Sequence, residues 1–169
     1  MLSDLIEEKL IMPELSAEKK KDVLKQICNL FTQAGVVEDL GQFIKVIEAR
    51  EAIESTAIGD GIAIPHGRSA TVKRLAVAFA KSSKGVDFEA LDGKPVHLIF
   101  MIAAPEEARR EYLQAVAKIA RLLKIKDLRQ KLLQATDKGQ VMKVIEEFDS
   151  KFPARLEVKT QQGRVIYKT

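Results

Sequence analysis

His66 is the residue with the clearest capacity for chemistry, because it stands between Pro65 and Gly67 in the glycine-rich stretch ESTAIGDGIAIPHGR. Free imidazole has a pKa near ~6.5, so at neutral pH much of it is the uncharged base. That form can attack an electrophilic phosphorus without a strong general base, and the ring can also leave again. Pro65 fixes the backbone before His66 and would hold the ring in one direction. We interpret His66 as the carrier of a phosphoryl group, although a structural or solvent-facing histidine also fits this loop taken alone.

The residues around His66 are those that a phosphoryl group requires. Such a group brings a charge of roughly −1.5 to −2 and three acceptor oxygens, which are best satisfied by guanidinium, hydroxyl and backbone N–H donors. Arg50, Ser55 and Thr56 offer the first two kinds of donor. Gly59 and Gly61 would let the backbone approach closely enough to supply the third. The stretch therefore predicts a phosphate site that contains its own nucleophile.

A longer stretch, REAIESTAIGDGIAIPHGR, resembles the active-site region of the fructose- and mannitol-type enzyme IIA domains of the bacterial phosphoenolpyruvate:sugar phosphotransferase system. The resemblance extends from about residue 5 to about residue 148. It implies that His66 accepts a phosphoryl group from HPr or its nitrogen-branch counterpart, as a tele-phosphohistidine intermediate. It also implies that Arg50, sixteen residues earlier, helps to bind that group.

The downstream stretch VHLIFMIAAPEEARREYLQAVAKIARLLK is similar to the family's strand, Ala-Pro turn and long helix. Family members commonly carry a second histidine near the start of that helix, where this sequence has Tyr112. A tyrosine can donate a hydrogen bond to a phosphoryl oxygen, but it offers no cationic imidazolium. We expect neither a cofactor nor a metal site. The predicted site residues are His66 as acceptor, with Arg50, Ser55, Thr56, Gly67 and Tyr112 as phosphoryl-binding or supporting residues.

The resemblance leaves the biological role open between two branches. Sugar-specific members pass the phosphoryl group to a IIB domain that serves a membrane permease, whereas nitrogen-type members act as free-standing regulators. The wording STAIGDGIAIPHGR is closest to the nitrogen type, so we expect a regulatory phosphotransferase component. The partners would be an HPr-like phosphocarrier and either regulatory target proteins or a IIB domain. A binding module that keeps the histidine but no longer transfers phosphate is a further alternative.

Composition narrows the remaining classes. No apolar run approaches the roughly 18 residues of a membrane-spanning helix, and the N-terminus MLSDLIEEKL has acids where a signal peptide is basic. We therefore expect a cytoplasmic protein without direct membrane insertion. Basic residues cluster between 118 and 131, which leaves nucleic-acid binding as an alternative. Aromatic residues are only 5% of the chain and offer few stacking partners for bases, so no nucleic acid is expected.

Three further residues receive structural interpretations. His97 starts a predicted strand, where both ring nitrogens would find structural partners. Cys28, the single cysteine, falls on an apolar helix face and is expected to be buried. Glu54 and Asp60 are expected to solvate or shape the loop rather than act as bases.

The 169 residues suit one domain of the α/β class, with a small mixed β-sheet flanked by helices on both faces. LAVAFAKS and PVHLIFMIAAP read as strands buried on both faces. The first helix would have Ser16 as its N-cap and Gly35 as its stop. The other helices are predicted at 39–52, 106–124, 126–134 and 138–148. Residues 1–150 would form the phosphocarrier domain, and 151–169 a C-terminal extension that is either a β-hairpin around a Gln-Gly turn or an added edge strand.

Overall fold

The computed structural model describes residues 1–153, 156–159 and 165–168. Two short 3-10 turns, Leu2–Asp4 and Glu8–Leu10, precede the regular elements. In chain order these are β1 (Ile11–Met12), α1 (Lys20–Gln33), α2 (Leu40–Ile53), β2 (Ala57–Gly59), β3 (Ile62–Ala63), β4 (His66–Arg68), β5 (Ala76–Val86), β6 (Val96–Ala104), α3 (Arg109–Lys124), α4 (Lys126–Gln134), α5 (Lys138–Lys151), β7 (Leu156–Lys159) and β8 (Val165–Lys168).

The first six strands form one mixed sheet in the order β1-β5-β6-β3-β2, with β4 also paired to β6. The β5–β6 pair is antiparallel, whereas β1 runs parallel to β5. Both β3 and β4 run parallel to β6 in one continuous register, since Ile62 lies opposite Leu98 and His66 opposite Ile102. The short strand β4, which begins with His66, therefore lies in line with β3 along the same side of β6.

Helices cover both faces of this sheet, which confirms the predicted fold class. Alternate residues of β6 point to opposite faces, as the two-residue period of a strand requires. Ile99 and Met101 join the core beneath α1 and α2. Phe100 and Ile102 join the core beneath α3, α4 and α5. Burial on both faces explains why the central strands read as continuous apolar runs.

The helix boundaries agree with the sequence pattern except at two N-termini and at the end of α5, which runs to Lys151 rather than to 148. Ser16 is not the cap of α1, which begins after Lys19. The Ser16 hydroxyl instead accepts a hydrogen bond from Gln26 Nε2 at 2.8 Å, and Gln26 Oε1 accepts one from the Ala17 N–H at 3.1 Å, so the segment before α1 lies along the helix. Helix α3 begins at Arg109 rather than at 106, because the chain turns after Pro105.

The C-terminal strands β7 and β8 pair antiparallel, with Leu156 opposite Lys168. The predicted Gln-Gly turn lies outside the described residues, and the division of the chain at residue 150 stays a prediction. Within the described part of the chain, no helix is long and apolar enough to cross a membrane.

Candidate functional site

His66 and Arg50 meet where the C-terminal turn of α2 packs on β4. Phe43 and Ile47 are fully buried and fix α2 against the sheet. One turn further along, the Arg50 Nε–H donates a hydrogen bond to His66 Nε2 at 3.2 Å. The same guanidinium donates to the Glu54 carbonyl oxygen at 2.8 Å through Nη1. The arginine is therefore held beside the ring before any substrate arrives.

The second nitrogen of the His66 ring fixes its tautomer. Nδ1 lies 2.8 Å from the Ile64 carbonyl oxygen, which can only accept a hydrogen bond. Nδ1 therefore carries the proton and Nε2 carries the free lone pair. The Arg50 N–H points at that lone pair, so the nitrogen available for attack is Nε2.

The surroundings of His66 lower its pKa below the ordinary value of 6.5. Burial of the ring is the largest cause, and the Arg50 guanidinium acts in the same direction. The hydrogen bond to Ile64 and the charge of Glu51 oppose the shift without reversing it. His66 is therefore neutral at pH 7, which is the nucleophilic form.

Gly67 lies at the close contact between β4 and α2, where there is no room for a Cβ. A Cβ at this residue would lie 2.8 Å from Val46 Cγ1 and 3.1 Å from Ile47 Cδ1, both closer than ordinary contact. Gly67 thus sets the distance between the strand that carries His66 and the helix that carries Arg50. The structure shows this packing role, and the predicted phosphoryl-supporting role of Gly67 stays a prediction.

The hydroxyl groups of Ser55 and Thr56 already donate hydrogen bonds to other partners. Ser55 Oγ donates to the Phe88 carbonyl oxygen at 2.6 Å. The Thr56 hydroxyl is buried and donates to the Glu51 carboxylate. Both residues line the same cavity as His66. Their predicted role as direct phosphoryl donors stays a prediction, and it would require each hydroxyl to change partner.

Tyr112, from α3, approaches His66 from the opposite side of the sheet edge. The two ring centroids are 5.3 Å apart with a tilt of 57°. The Arg68 guanidinium lies over the tyrosine ring at 5.9 Å. Burial raises the pKa of the Tyr112 hydroxyl, although Arg50 and Arg68 oppose the shift. The hydroxyl therefore stays protonated and able to donate at neutral pH.

An open cavity of about 310 Å³ lies beside these residues. The turn at Gly59 and Gly61 does not line it, contrary to the expectation that these glycines bring backbone N–H groups to the phosphate. Both have positive φ and serve a tight turn between β2 and β3 instead. The lining residues are Arg50, Glu54, Ser55, Thr56, Ala57, Ile58, Ile64, His66, Leu91, Val116 and Ala120.

Two residues near the site were missing from the predicted set. Arg68 was visible as an arginine of the motif, but only the fold places it over Tyr112. Glu51 is a buried carboxylate on α2. It follows Phe43 and Ile47 at four-residue intervals, so a charged residue on the apolar stripe of the helix was the available signal.

The expected burial of Cys28 is confirmed, and His97 has a structural hydrogen-bond partner on one of its two ring nitrogens. His97 Nδ1 lies 2.8 Å from the Ser82 carbonyl oxygen, and its ring packs against Gly61 and Gly85. Cys28 is fully buried, its Sγ lies 3.7 Å from Met101 Sδ, and burial raises the pKa of its thiol to about 12. Among the residues that the structure describes, no three His, Cys, Asp or Glu side chains form a group that could hold a metal ion.

Known proteins are similar to this chain in both sequence and fold. The sequence model of the family described as "Phosphoenolpyruvate-dependent sugar phosphotransferase system, EIIA 2" matches residues 4–148. A fructose-specific EIIABC component of Bacillus subtilis (strain 168) is 36% identical over 148 residues, which are 88% of this chain and 23% of that protein. The chain therefore spans less than a quarter of that relative.

Two further relatives match over nearly their whole length. A nitrogen regulatory protein of Bradyrhizobium diazoefficiens is 35% identical over 148 residues, covering 85% of this chain and 94% of that protein. The crystal structure of nitrogen regulatory protein IIA-Ntr from Neisseria meningitidis superposes with a TM-score of 0.79 at 31% identity, covering 85% of this chain and 97% of that one.

Proposed function

The chain belongs to the EIIA 2 family of the phosphoenolpyruvate-dependent sugar phosphotransferase system, and we propose that it carries the phosphoryl group of this system on His66 Nε2. The observation that carries the proposal is the pair of contacts on the His66 ring. Nδ1–H donates to the Ile64 carbonyl oxygen, and Nε2 keeps its lone pair beside the Arg50 guanidinium. Nδ1 is thereby blocked, and Nε2 can attack once the hydrogen bond from Arg50 breaks.

The proposed transfer step needs no general base, because the attacking nitrogen carries no proton. The Nε2 lone pair attacks the phosphorus atom of a phosphorylated donor protein, a new N–P bond forms, and the bond from phosphorus to the donor atom breaks. The electron pair of that bond returns to the donor. The ring keeps its proton on Nδ1, where the Ile64 carbonyl oxygen stabilises the positive charge that develops on the imidazole. The reverse sequence passes the phosphoryl group onward.

Arg50 has a double role in this scheme. In the free protein its Nε–H donates to the nucleophilic lone pair, so that hydrogen bond must break before attack. The guanidinium then has phosphoryl oxygens within reach, with which it makes charge-assisted hydrogen bonds. Phosphoryl transfer depends mainly on positioning and on stabilisation of charge, and an arginine held by the Glu54 carbonyl oxygen supplies both.

We propose an HPr-like phosphocarrier as the donor and a regulatory role of the nitrogen type. The similarity to the nitrogen regulatory protein of B. diazoefficiens, over 94% of that protein, supports this branch. The second candidate is a sugar-specific EIIA component that passes phosphate to a IIB domain, and the similarity to the fructose-specific EIIABC component supports it. Incubation of the phosphorylated chain with purified IIB domains separates the two, because only the second candidate loses its phosphate to a IIB domain.

The acceptor role is tested with purified phosphoenolpyruvate, enzyme I and several phosphocarriers. The wild type should gain one acid-labile phosphoryl group, detected by intact mass and by 31P NMR, and His66→Ala should gain none. His97→Asn is the matched control, since it removes the other histidine and should still accept. A wild type that gains no phosphoryl group from any phosphocarrier would contradict the proposal and favour a binding module without transfer.

A further inference from the structure

A buried carboxylate lies directly behind the proposed phosphoryl site. The Glu51 side chain is only 5% exposed. It accepts hydrogen bonds from the Thr56 N–H at 3.2 Å and from the Thr56 hydroxyl, and Lys20 Nζ lies 3.0 Å from Oε2. Glu51 adjoins Arg50 in sequence, and Thr56 lines the cavity beside His66. The carboxylate thus joins the helix that carries the arginine to the wall of the cavity.

Lys20 extends the same network to a second wall of the cavity. Its Nζ donates to the Phe88 carbonyl oxygen at 3.3 Å and lies 5.0 Å from the centre of the Phe88 ring. Ser55 Oγ donates to the same carbonyl oxygen. The segment after Phe88 contributes Leu91 to the cavity. One chain of polar contacts therefore connects α1, the end of α2, residues 55–57 and residues 88–91.

Stability alone is a weak reason for such an arrangement. Removing a carboxylate and an ammonium from water costs free energy that their attraction returns only in part, and apolar residues of similar size often stabilise a fold equally well. What the arrangement supplies is a unique geometry, because both donors of Thr56 and the Lys20 ammonium must converge on one carboxylate. Thr56, which is held in this way, lines the cavity at the proposed phosphoryl site.

We propose that Glu51 is a positioning residue for phosphoryl transfer. It fixes residues 55–57 against the end of α2, so that the cavity wall stays in place while Arg50 releases His66 and turns to the phosphoryl oxygens. The inference rests on the proposed function of His66. A displacement of about 1 Å in such a site can reduce the rate roughly 100-fold, so the loss of this anchor should be visible in transfer.

The charge of Glu51 also reaches the His66 ring. Among the described residues, the charged and titratable groups around His66 are Arg50 and Glu51 from α2, Glu54, which lines the same cavity, Tyr112 from α3, and Arg68, which lies over the Tyr112 ring. Of these groups, Glu51 is the acid whose charge raises the pKa of His66. Replacement by neutral glutamine should therefore lower the pKa of His66 further. The change in pKa reports the charge of Glu51 at the His66 ring, and the transfer rate reports its positioning role.

The test uses Glu51→Gln, which keeps the size of the side chain but replaces one acceptor oxygen by a donor. Its matched control is Glu89→Gln, because the Glu89 side chain is 81% exposed and lies 3.9 Å from the same Lys20 ammonium. Transfer from a phosphorylated phosphocarrier is measured over a range of carrier concentrations. Glu51→Gln should lower the maximal rate roughly tenfold or more with little change in the half-saturating concentration, and Glu89→Gln should match the wild type.

Two measurements on the unphosphorylated protein keep this test independent of the proposed function. NMR titration of the His66 ring should show a lower pKa in Glu51→Gln, and hydrogen exchange should show weaker protection of the Thr56 amide. If the wild type accepts no phosphate, the proposed function fails while these two measurements still judge the network. Wild-type rates and an unchanged pKa of His66 in folded Glu51→Gln would overturn the inference, as would a loss of rate that only follows the unfolded fraction.

Discussion

At the scale of single residues, the tautomer of His66 decides which ring nitrogen would act as the proposed nucleophile. The bond from Nδ1–H to the Ile64 carbonyl oxygen is made by the backbone two residues earlier, so it survives any change of side chains in the cavity. Among the residues that the structure describes, the Arg50 N–H is the one hydrogen-bond partner of the Nε2 lone pair. The proposed phosphoryl transfer at Nε2 would therefore require no movement of the ring.

The lowered pKa of His66 gives a prediction for pH. Because burial disfavours the charged ring, NMR titration should give a midpoint below 6.5, and transfer should persist as the pH falls through 6.5 and decline only below the shifted pKa. The unfolded chain binds the proton more readily in this interval, so the free energy of unfolding should fall as the pH falls from about 6.5 towards the shifted pKa. A midpoint at or above 6.5 would contradict the burial argument.

Tyr112→Phe separates the hydroxyl of Tyr112 from its ring. The ring contact with His66 at 5.3 Å should remain, whereas the predicted hydrogen-bond donor for a phosphoryl oxygen is lost. A hydrogen bond to a charged group contributes about 1.5–3 kcal/mol, so the transfer rate should fall roughly tenfold or more. Stopped-flow mixing with a phosphorylated carrier measures this rate. Equal rates in both proteins would mean that only the ring matters.

At the scale of elements, the contact between α2 and β4 sets the distance from Arg50 to His66. Gly67→Ala should push the helix from the strand, lower the free energy of unfolding by about 1–3 kcal/mol and reduce transfer. Denaturant unfolding and the transfer assay measure the two effects. The double change Gly67→Ala with Val46→Ala should recover part of both losses, because it removes the methyl group that the new Cβ would meet at 2.8 Å.

Gly41→Ala is the control on the same helix. A Cβ at Gly41 would lie 3.6 Å from the nearest atom, Asp39 Oδ1, which is an ordinary contact. The change should alter the free energy of unfolding by less than about 1 kcal/mol and, if anything, stabilise the helix. A similar loss from Gly41→Ala and Gly67→Ala would show that the effect is not specific to the α2–β4 contact.

The elements were largely predictable from the sequence, and the reasons differ between them. The apolar periodicity of α2 and the continuous apolar run of β6 indicate their own type and burial. The start of α1 was not predictable, because the Ser16 hydroxyl accepts from a glutamine ten residues away rather than from a helix N–H. Local propensity cannot show a partner that only the folded helix brings near.

The same limit applies to the site. The motif identified His66 and Arg50 as partners, and the structure brings their nitrogens together. The sequence could not show that the hydroxyls of Ser55 and Thr56 are used by Phe88 and Glu51, because those contacts depend on how α2 and the loop pack.

At the scale of the whole molecule, the N-terminus is fastened to the last helix of the main fold. Both carboxylate oxygens of Asp149 accept backbone N–H groups, from Leu2 and from Ser3, each at 2.8 Å. Asp149→Asn should lower the free energy of unfolding by about 1–3 kcal/mol, since one N–H then faces an amide that cannot accept. Transfer per folded molecule should not change.

Denaturant unfolding checks this prediction, with Asp127→Asn as the control. Asp127 lies in an exposed pair with Lys131 at 3.2 Å, and such pairs contribute little to stability. Equal losses in the two variants would mean that the Asp149 contacts contribute no more than a surface charge.

The position of His66 at the sheet edge has one further consequence. Arg50 comes from the helical layer on one face, and Tyr112 packs with the layer on the other. A phosphoryl group that accepts hydrogen bonds from both would act as a cross-link between helical layers on opposite faces of the sheet. Interactions made only in the folded state raise its stability. A partner protein that binds the phosphorylated and unphosphorylated forms differently would then respond to a change in rigidity as well as to the added charge.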